Sequence, residues 1–314
     1  KAQKPSSPTE MSILTAKWWP LIWLLCRYAN AMVADASCEE SNFLAMQFLQ
    51  MTSSLNPEPH SSLKPWDVHY YIGVTYHKSG THLMMQLWNL TFDALGAKPA
   101  DMGQWSQPCY PNYCYAPDAP IQLWLNLYSP EKAQESRRDA ADRGLRGLRV
   151  AGFVRDPVSM IVSAYCYHHR GEEPWNMVEN PHNILTQMGP REGLAFLGER
   201  MLPKVTNMTD VFAHPANDTL RLDYEKTTAS SDGFDSEMVK LIDFFFQGFI
   251  SDEENALVLN ATQMADLNRH PFLETEHSND DDCEARTREY VPTMPAHLLA
   301  QYRSFQQRLG YAPA

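Results

Sequence analysis

The sequence contains few cysteines, no long apolar run and fewer basic than acidic residues. Its 314 residues include only six cysteines, too few for a fold built on disulfide bonds. Lysine and arginine number 26 against 38 acidic residues, which gives a formal net charge of −12. Proteins that bind nucleic acid over a broad surface carry the opposite charge, so that class is excluded. Hydrophobic residues make up 44% of the chain, as in folded globular proteins rather than disordered or polytopic membrane proteins.

Residues 1–65 are expected to form an N-terminal segment outside the main domain. Lys17 precedes a short apolar run that small residues follow, a pattern typical of a secretory signal peptide near residues 11–36. The run is too short to span a membrane, and Arg27 interrupts it. The alternative is an amphipathic helix that packs on the domain. Residues 52–66 are rich in Ser and Pro and indicate a linker.

Sequons favour the secretory pathway, such as the Golgi lumen, over the cytoplasmic alternative. Four N-x-[ST] patterns predict a glycoprotein, with acceptors Asn89, Asn207, Asn217 and Asn260. Asn89 falls on a predicted helix that packs on the domain, where a glycan would be poorly accommodated. Cys109 and Cys114 are close enough in sequence to form a disulfide, although two separate thiols are the favoured interpretation.

Strands that alternate with helices predict the fold class. Residues 68–76, 148–154 and 219–223 are short apolar runs, rich in β-branched or aromatic residues, as in buried strands. Apolar residues at helical spacing follow the first two runs, and Asp156 with Pro157 predicts a helix start after the second. A further helix is predicted over 234–246. We therefore expect an α/β domain over residues 66–314, with a central parallel sheet between two helical layers.

The loop after the first predicted strand carries the sequence His-Lys-Ser-Gly-Thr. Such a loop presents backbone N–H groups at the positive end of the following helix, where anions bind readily. Gly80 lets the backbone approach a ligand closely, and Lys78 adds positive charge. The alternative is an ordinary turn with a surface lysine. The nucleotide motif G-x-x-x-x-G-K-[ST] is not matched, because the glycine before the lysine is absent.

Three motifs, in order, resemble those of sulfotransferases that use 3′-phosphoadenosine 5′-phosphosulfate (PAPS). Residues 76–82, Tyr-His-Lys-Ser-Gly-Thr-His, are similar to the family's 5′-phosphosulfate loop, commonly Y-P-K-S-G-T-T. Arg155 and Ser163, at the second strand and helix, are similar to its 3′-phosphate motif. Residues 220–225 end in Tyr-Glu, like the strand whose tyrosine lies near the adenine. The resemblance covers residues 66–314 and implies the P-loop sulfotransferase fold.

The resemblance also implies roles for individual residues. Lys78 would neutralise charge on the oxygen that bridges the phosphate and the sulfuryl group. The 5′-phosphate would bind residues 79–82, mainly through backbone N–H groups, and the 3′-phosphate would bind Arg155 and Ser163. Arg286 or Arg288 falls where the family has a late basic contact. The implied donor-binding residues are Lys78, Ser79, Gly80, Thr81, His82, Arg155, Ser163, Tyr224, Arg286 and Arg288.

The catalytic base is where the sequence departs from the family. Cytosolic members have a histidine between the first two motifs, but residues 121–130 contain none. Glycan-modifying members use a carboxylate roughly twenty residues after the loop lysine, and Asp101 lies at about that distance. Asp101 and His82 are therefore the candidate bases. The alternatives are a turn-capping role for Asp101 and a purely backbone contribution from His82.

The expected activity is transfer of a sulfuryl group from PAPS to a hydroxyl or amine of a carbohydrate or small molecule. The chemistry needs positioning and charge stabilisation, with no metal, nucleic acid or membrane partner. The intermediate loops of residues 99–130, rich in Pro, Trp and Tyr, would shape the acceptor pocket. Two alternatives stay open: a P-loop kinase-like enzyme, and a non-catalytic relative that binds a nucleotide or glycan.

Overall fold

The computed structural model describes residues 63–106, 116–171, 183–271, 279 and 281–314. The chain divides into two units, Lys1–His60 and Ser61–Ala314, and all described residues belong to the second. The predicted signal peptide near 11–36 and the pair Cys109 and Cys114 lie outside the described residues. Within those ranges, no helix has both the length and the apolar character needed to cross a membrane.

Five parallel strands form one central sheet, which confirms the predicted α/β class. Their order across the sheet is β2-β3-β1-β4-β5. The central strand β1 pairs in parallel with β3 on one side and with β4 on the other. The strands are β1 His69–Thr75, β2 Met102–Ser106, β3 Ile121–Leu125, β4 Gly147–Val154 and β5 Thr219–Asp223.

Helices cover both faces of the sheet. Those in the described ranges are α1 Thr81–Ala94, α2 Pro130–Asp142, α3 Pro157–His169, α4 Pro190–Phe212, α5 Tyr224–Ala229, α6 Ser231–Phe246, α7 Asp252–Thr262, α8 Asp281–Arg288 and α9 Ala296–Leu309. The predicted start of α3 is confirmed, because the Asp156 carboxylate accepts a hydrogen bond from the Ser159 backbone N–H at 2.8 Å.

Alternating side chains of the strands divide the core into two layers. Ile72 and Val74 of β1 point into one apolar cluster, whereas Tyr71 points into the other. The first cluster contains the buried faces of α3, α4 and α9. The second contains those of α1, α6 and α7. The helices that follow β1 and β4 therefore lie on opposite faces of the sheet.

Two strands lie where the sequence predicted only loops. The interval 99–130 includes β2 and β3, and β3 joins β2 to the central strand β1. The Gln122 side chain, fully buried in β3, donates hydrogen bonds to Ala116 O and Ala119 O, both at 2.9 Å. These bonds satisfy the NH₂ group of the amide, whereas its Oε1 is buried with no hydrogen-bond partner among the described residues.

Two residues show how assignments at individual positions compare with the structure. Trp66, where the predicted linker and the predicted domain overlap, is 5% exposed and packs edge-on against Phe92, so it belongs to the domain. Asn89 lies on an exposed face of α1 rather than on its packed face. The buried face of α1 centres on Leu87, Trp88 and Phe92 instead.

Candidate functional site

The chain reverses its direction across the sheet between β1 and β4. After β1 it passes to β2 and β3 on one side, and after β3 it crosses to β4 on the other. Because α1 and α3 cover opposite faces, the carboxyl ends of β1 and β4 open onto a crevice. Ligands of open α/β sheets bind at such a reversal. The two motifs predicted from the sequence both lie there.

A tight turn connects β1 to α1. The Ser79 backbone N–H donates to Tyr76 O at 2.9 Å, and the Ser79 hydroxyl donates to the same oxygen at 2.9 Å. Ser79 is fully buried. These bonds argue against the expectation that the Ser79 N–H binds a phosphate, because that donor already stabilises the turn. Thr81 also faces inward, with its hydroxyl 2.6 Å from that of Thr75.

Lys78 and Gly80 both have positive φ angles in this turn. Lys78 has φ 63° and Gly80 has φ 102°. A residue other than glycine in this region costs roughly 1 kcal/mol or more, and such outliers cluster at functional sites. Gly80 immediately precedes α1 and has no side chain to cover the helix end. The turn therefore keeps the start of α1 open towards the crevice.

Arg155 joins the two motifs. Its Nη1 donates to Lys78 O at 3.0 Å and to the Ser163 hydroxyl at 3.1 Å. The spacing of eight residues brings the serine on α3 within reach of the arginine at the end of β4. The Arg155 side chain is 13% exposed, so most of its charge is held away from solvent. The structure thus brings Lys78, Arg155 and Ser163 together.

Tyr224, the first residue of α5, closes another side of this cluster. The Arg155 guanidinium lies 4.7 Å from the centre of the Tyr224 ring, within the range of a cation–π contact. A Cβ at Gly80 would lie 2.9 Å from the Tyr224 ring. Tyr224 therefore packs against both the turn and the arginine, and Gly80 is the residue that permits this approach.

Of the two late basic residues, only Arg288 has a described contact with α3. Its Nη2 donates to the Ser159 hydroxyl at 2.8 Å, one turn before Ser163. Arg286 and Arg288 are both exposed. Arg288 is therefore the better placed of the pair for a ligand at the start of α3.

Asp101 lies at the wrong end of the sheet for a catalytic base near Lys78. It immediately precedes β2, whose first residue Met102 is level with Tyr71 through Ile121. Thr75, the last residue of β1, lies about 13 Å beyond Tyr71 along the strand direction at 3.3 Å per residue. Lys78 follows Thr75 and lies at that far end. The Asp101 carboxylate instead accepts a hydrogen bond from the Lys98 backbone N–H at 2.8 Å. The catalytic prediction for Asp101 is therefore wrong, and the capping role explains the residue.

His82 lies close to the turn, and two further histidines pair with each other beside the same turn. His82 is half-buried in the first turn of α1. His77 stacks on His168 of α3, with Nε2 atoms 2.8 Å apart. Burial, His168, Lys204 and Lys78 together hold the pKa of His77 well below 6.5. The family that the sequence resembles has a proline at the position of His77. The histidine at that position was therefore the sequence signal that could have pointed to the pair.

Positive charge accumulates around the crevice although the whole chain is acidic. The Lys78 ammonium lies 4.0 Å from the centre of the Tyr167 ring. Burial lowers the pKa of Lys204 on α4 to about 8. Lys204 remains predominantly protonated at neutral pH, so it adds to the field of Lys78 and Arg155. The crevice can therefore hold an anion against the net charge of −12.

A third segment reaches the cluster late in the chain, around the helix on which the resemblance placed Arg286 or Arg288, but its other contacts were not predicted. Asn279 donates to the Ser163 hydroxyl at 2.7 Å, and Glu284 lies 3.8 Å from Arg155. A disulfide between Cys166 and Cys283 attaches this segment to α3 across a sequence separation of 117. Spacing alone could not reveal these partners, because only the folded chain brings them to α3.

The described residues offer no metal site. No three side chains among their His, Cys, Asp and Glu residues are close enough together to hold a metal ion. What the crevice presents is a lysine, an arginine, a serine hydroxyl and a helix start, which are donors to an anion.

Comparisons with protein-family models, with curated proteins and with solved structures each give no match for this chain.

Proposed function

We propose that the protein transfers a sulfuryl group from PAPS to a hydroxyl or amine of a carbohydrate or small molecule. The observation that carries the proposal is the position of Arg155, whose Nη1 contacts both Lys78 O and the Ser163 hydroxyl. Two anion-binding turns that meet in this way suit the two phosphates of one nucleotide. The resemblance of both turns to PAPS-binding motifs supports this donor rather than another.

In the proposed complex, the 5′-phosphosulfate lies at the start of α1. The backbone N–H groups of Gly80, Thr81 and His82 are the donors for it, and Lys78 neutralises charge on the bridging oxygen. The lysine side chain is flexible enough to turn its ammonium from the Tyr167 ring towards that oxygen. Arg155 and Ser163 bind the 3′-phosphate, with Arg288 close to the same helix end.

The reaction is an in-line displacement at sulfur. The bond between sulfur and the bridging oxygen breaks, and its electron pair stays on the 5′-phosphate, leaving adenosine 3′,5′-bisphosphate. The acceptor oxygen or nitrogen forms the new bond to sulfur and gives its proton to a base. We assign this base to His82, which is half-buried one residue into α1 and beside the turn.

Calorimetric titration with adenosine 3′,5′-bisphosphate and with ATP tests the donor site. We expect the bisphosphate to bind more tightly than ATP. A preference for ATP would support a kinase-like enzyme and reject the proposal. Bisphosphate binding without transfer from labelled PAPS to a broad panel of sugars, phenols and amines would support the non-catalytic alternative.

The variant Lys78→Ala tests the assigned chemistry. Removing a cation that acts on the departing oxygen should lower the transfer rate by about 100-fold or more while the fold is retained. The rate is measured with labelled PAPS, and the fold is checked by circular dichroism. Lys98→Ala is the matched control, because Lys98 is exposed near the opposite end of the sheet. An unchanged rate in Lys78→Ala would reject the role of the lysine.

We further propose that the protein works in the lumen of the secretory pathway. The disulfide between Cys166 and Cys283 supports this location, since such bonds persist in oxidising compartments. The sequon asparagines Asn89, Asn217 and Asn260 are exposed and accessible to a glycan. Loss of apparent mass after treatment of the native protein with an N-glycosidase is expected, and an unchanged mass would contradict the proposal.

A further inference from the structure

A carboxylate lies beside Arg155, the arginine of the proposed 3′-phosphate site. Arg155 uses Nη1 for Lys78 O and the Ser163 hydroxyl. Its other terminal nitrogen, Nη2, lies 3.8 Å from Glu284 Oε2. The Glu284 side chain is only 21% exposed, so water screens this pair weakly. An incoming phosphate must therefore share or replace the interaction of Arg155 with Glu284.

Asn279 holds the carboxylate in this place. Its Nδ2 lies 2.8 Å from Glu284 Oε1, 2.7 Å from the Ser163 hydroxyl and 2.9 Å from Ser163 O. A single amide thus links the carboxylate to the serine that the phosphate would contact. Glu284, Asn279, Ser163 and Arg155 form one closed polar network.

A covalent bond fixes the segment that carries Glu284. Cys283 is joined to Cys166 of α3, with a distance of 5.9 Å between their Cα atoms. On the other side of Glu284, Thr287 is buried and its hydroxyl lies 3.5 Å from the Cys166 sulfur. Because both flanking residues contact α3, the Glu284 backbone cannot retreat far when a ligand arrives.

We propose that Glu284 weakens the affinity of the donor site for the 3′-phosphate, because its charge competes with that phosphate for Arg155. This inference rests on the proposed function. A phosphate dianion on Arg155 and Ser163 lies within a few ångströms of the carboxylate, and like charges at that distance repel. The wild-type protein therefore distinguishes adenosine 3′,5′-bisphosphate from adenosine 5′-monophosphate less strongly than Arg155 alone would permit.

The variant Glu284→Gln tests the competition. Glutamine keeps an oxygen for the Asn279 amide and removes the negative charge. We expect it to bind the bisphosphate about ten-fold more tightly by calorimetry, as loss of a nearby like charge implies, with unchanged affinity for the 5′-monophosphate. Glu289→Gln is the matched control, because Glu289 is exposed on the same segment and should bind both nucleotides like the wild type.

The outcomes separate this inference from the proposed function. If the wild type prefers the bisphosphate to ATP but Glu284→Gln binds it no more tightly, only the inference is overturned. An equal gain for both nucleotides also overturns it, since the effect would not act at the 3′-phosphate. Preference of the wild type for ATP rejects the proposed function and the inference together. Glu284→Ala gives a second test should the glutamine variant fail to fold.

Discussion

Gly80 is the residue on which the geometry of the first turn depends. Its φ of 102° is unfavourable for any side chain, and a Cβ there would lie 2.9 Å from the Tyr224 ring. Tyr224 in turn contacts the Arg155 guanidinium. Because Gly80 has no side chain, the turn, the Tyr224 ring and the Arg155 guanidinium can pack together.

Gly80→Ala is therefore expected to destabilise the fold and weaken nucleotide binding. The backbone strain costs roughly 1 kcal/mol and the displaced ring adds about 1 kcal/mol or more. Chemical denaturation measures the change in the free energy of unfolding. Calorimetry with adenosine 3′,5′-bisphosphate measures the accompanying loss of affinity.

Gly144→Ala separates the two contributions to that change. Gly144 also has a positive φ, 72°, but nothing lies within 4 Å of its Cβ position. This variant should show the strain alone and keep normal binding. If both variants lose the same stability, the contact between Gly80 and Tyr224 does not constrain the site.

Among the elements, the sequence predicted those with strong and continuous patterns. The runs that became β1, β4 and β5 are bounded by residues typical of turns, and the Asp156 cap marks the start of α3. β2 was missed because its sequence, Met-Gly-Gln-Trp-Ser, is not a continuous apolar run; its length was no obstacle, since β5 also has five residues. The polar Gln122 interrupts the apolar run of β3, and its amide donates to backbone oxygens three and six residues earlier, which an alternation pattern does not show.

Helix α8 is short, and the disulfide is expected to hold it on α3. Replacing Cys283 by Ser removes a cross-link across 117 residues. Because the cross-link restricts the unfolded chain, its removal should lower the free energy of unfolding by about 3–5 kcal/mol. Urea denaturation with and without dithiothreitol measures it. Bisphosphate affinity should change as well, because α8 carries Glu284.

The reductant itself provides the control for this variant. Dithiothreitol should lower the stability of the wild type towards that of Cys283→Ser. The same reductant should leave the variant nearly unaffected. Equal stability of the oxidised wild type and the variant would show that the cross-link contributes nothing to the fold.

In the molecule as a whole, the sequence could predict those site residues that lie within a single strand-to-helix motif. Lys78, Arg155 and Ser163 each lie within a strand-to-helix motif, so their meeting follows from a parallel sheet. Asn279 and Glu284 join only when a distant segment returns to α3, and no local pattern encodes that return. Asp101 was misplaced because its distance along the chain says nothing about which end of β2 it occupies.

Acid stability is the property of the whole molecule that the buried histidines should control. Burial, together with Arg149 and Arg146, lowers the pKa of His69 to about 4, against 6.5 in an unfolded chain. Between these values the unfolded state binds more protons, so stability is highest above pH 6.5 and falls as the pH drops towards 4. His77, with its pKa also lowered, contributes in the same direction.

His69→Phe should flatten this part of the stability curve. One group changes the free energy of unfolding by at most about 1.4 kcal/mol per pH unit, and phenylalanine keeps a ring against Phe249. Asp218 and Glu237 have lowered pKa values and lose their contribution only below their ordinary values of 3.8 and 4.5. Burial raises the pKa of Asp93, which makes stability rise as the pH falls, so the slope of the variant is compared with that of the wild type between pH 7 and 5. His297→Gln, at an exposed position, should keep the wild-type slope. An unchanged slope in His69→Phe would exclude His69 as a source of the acid sensitivity.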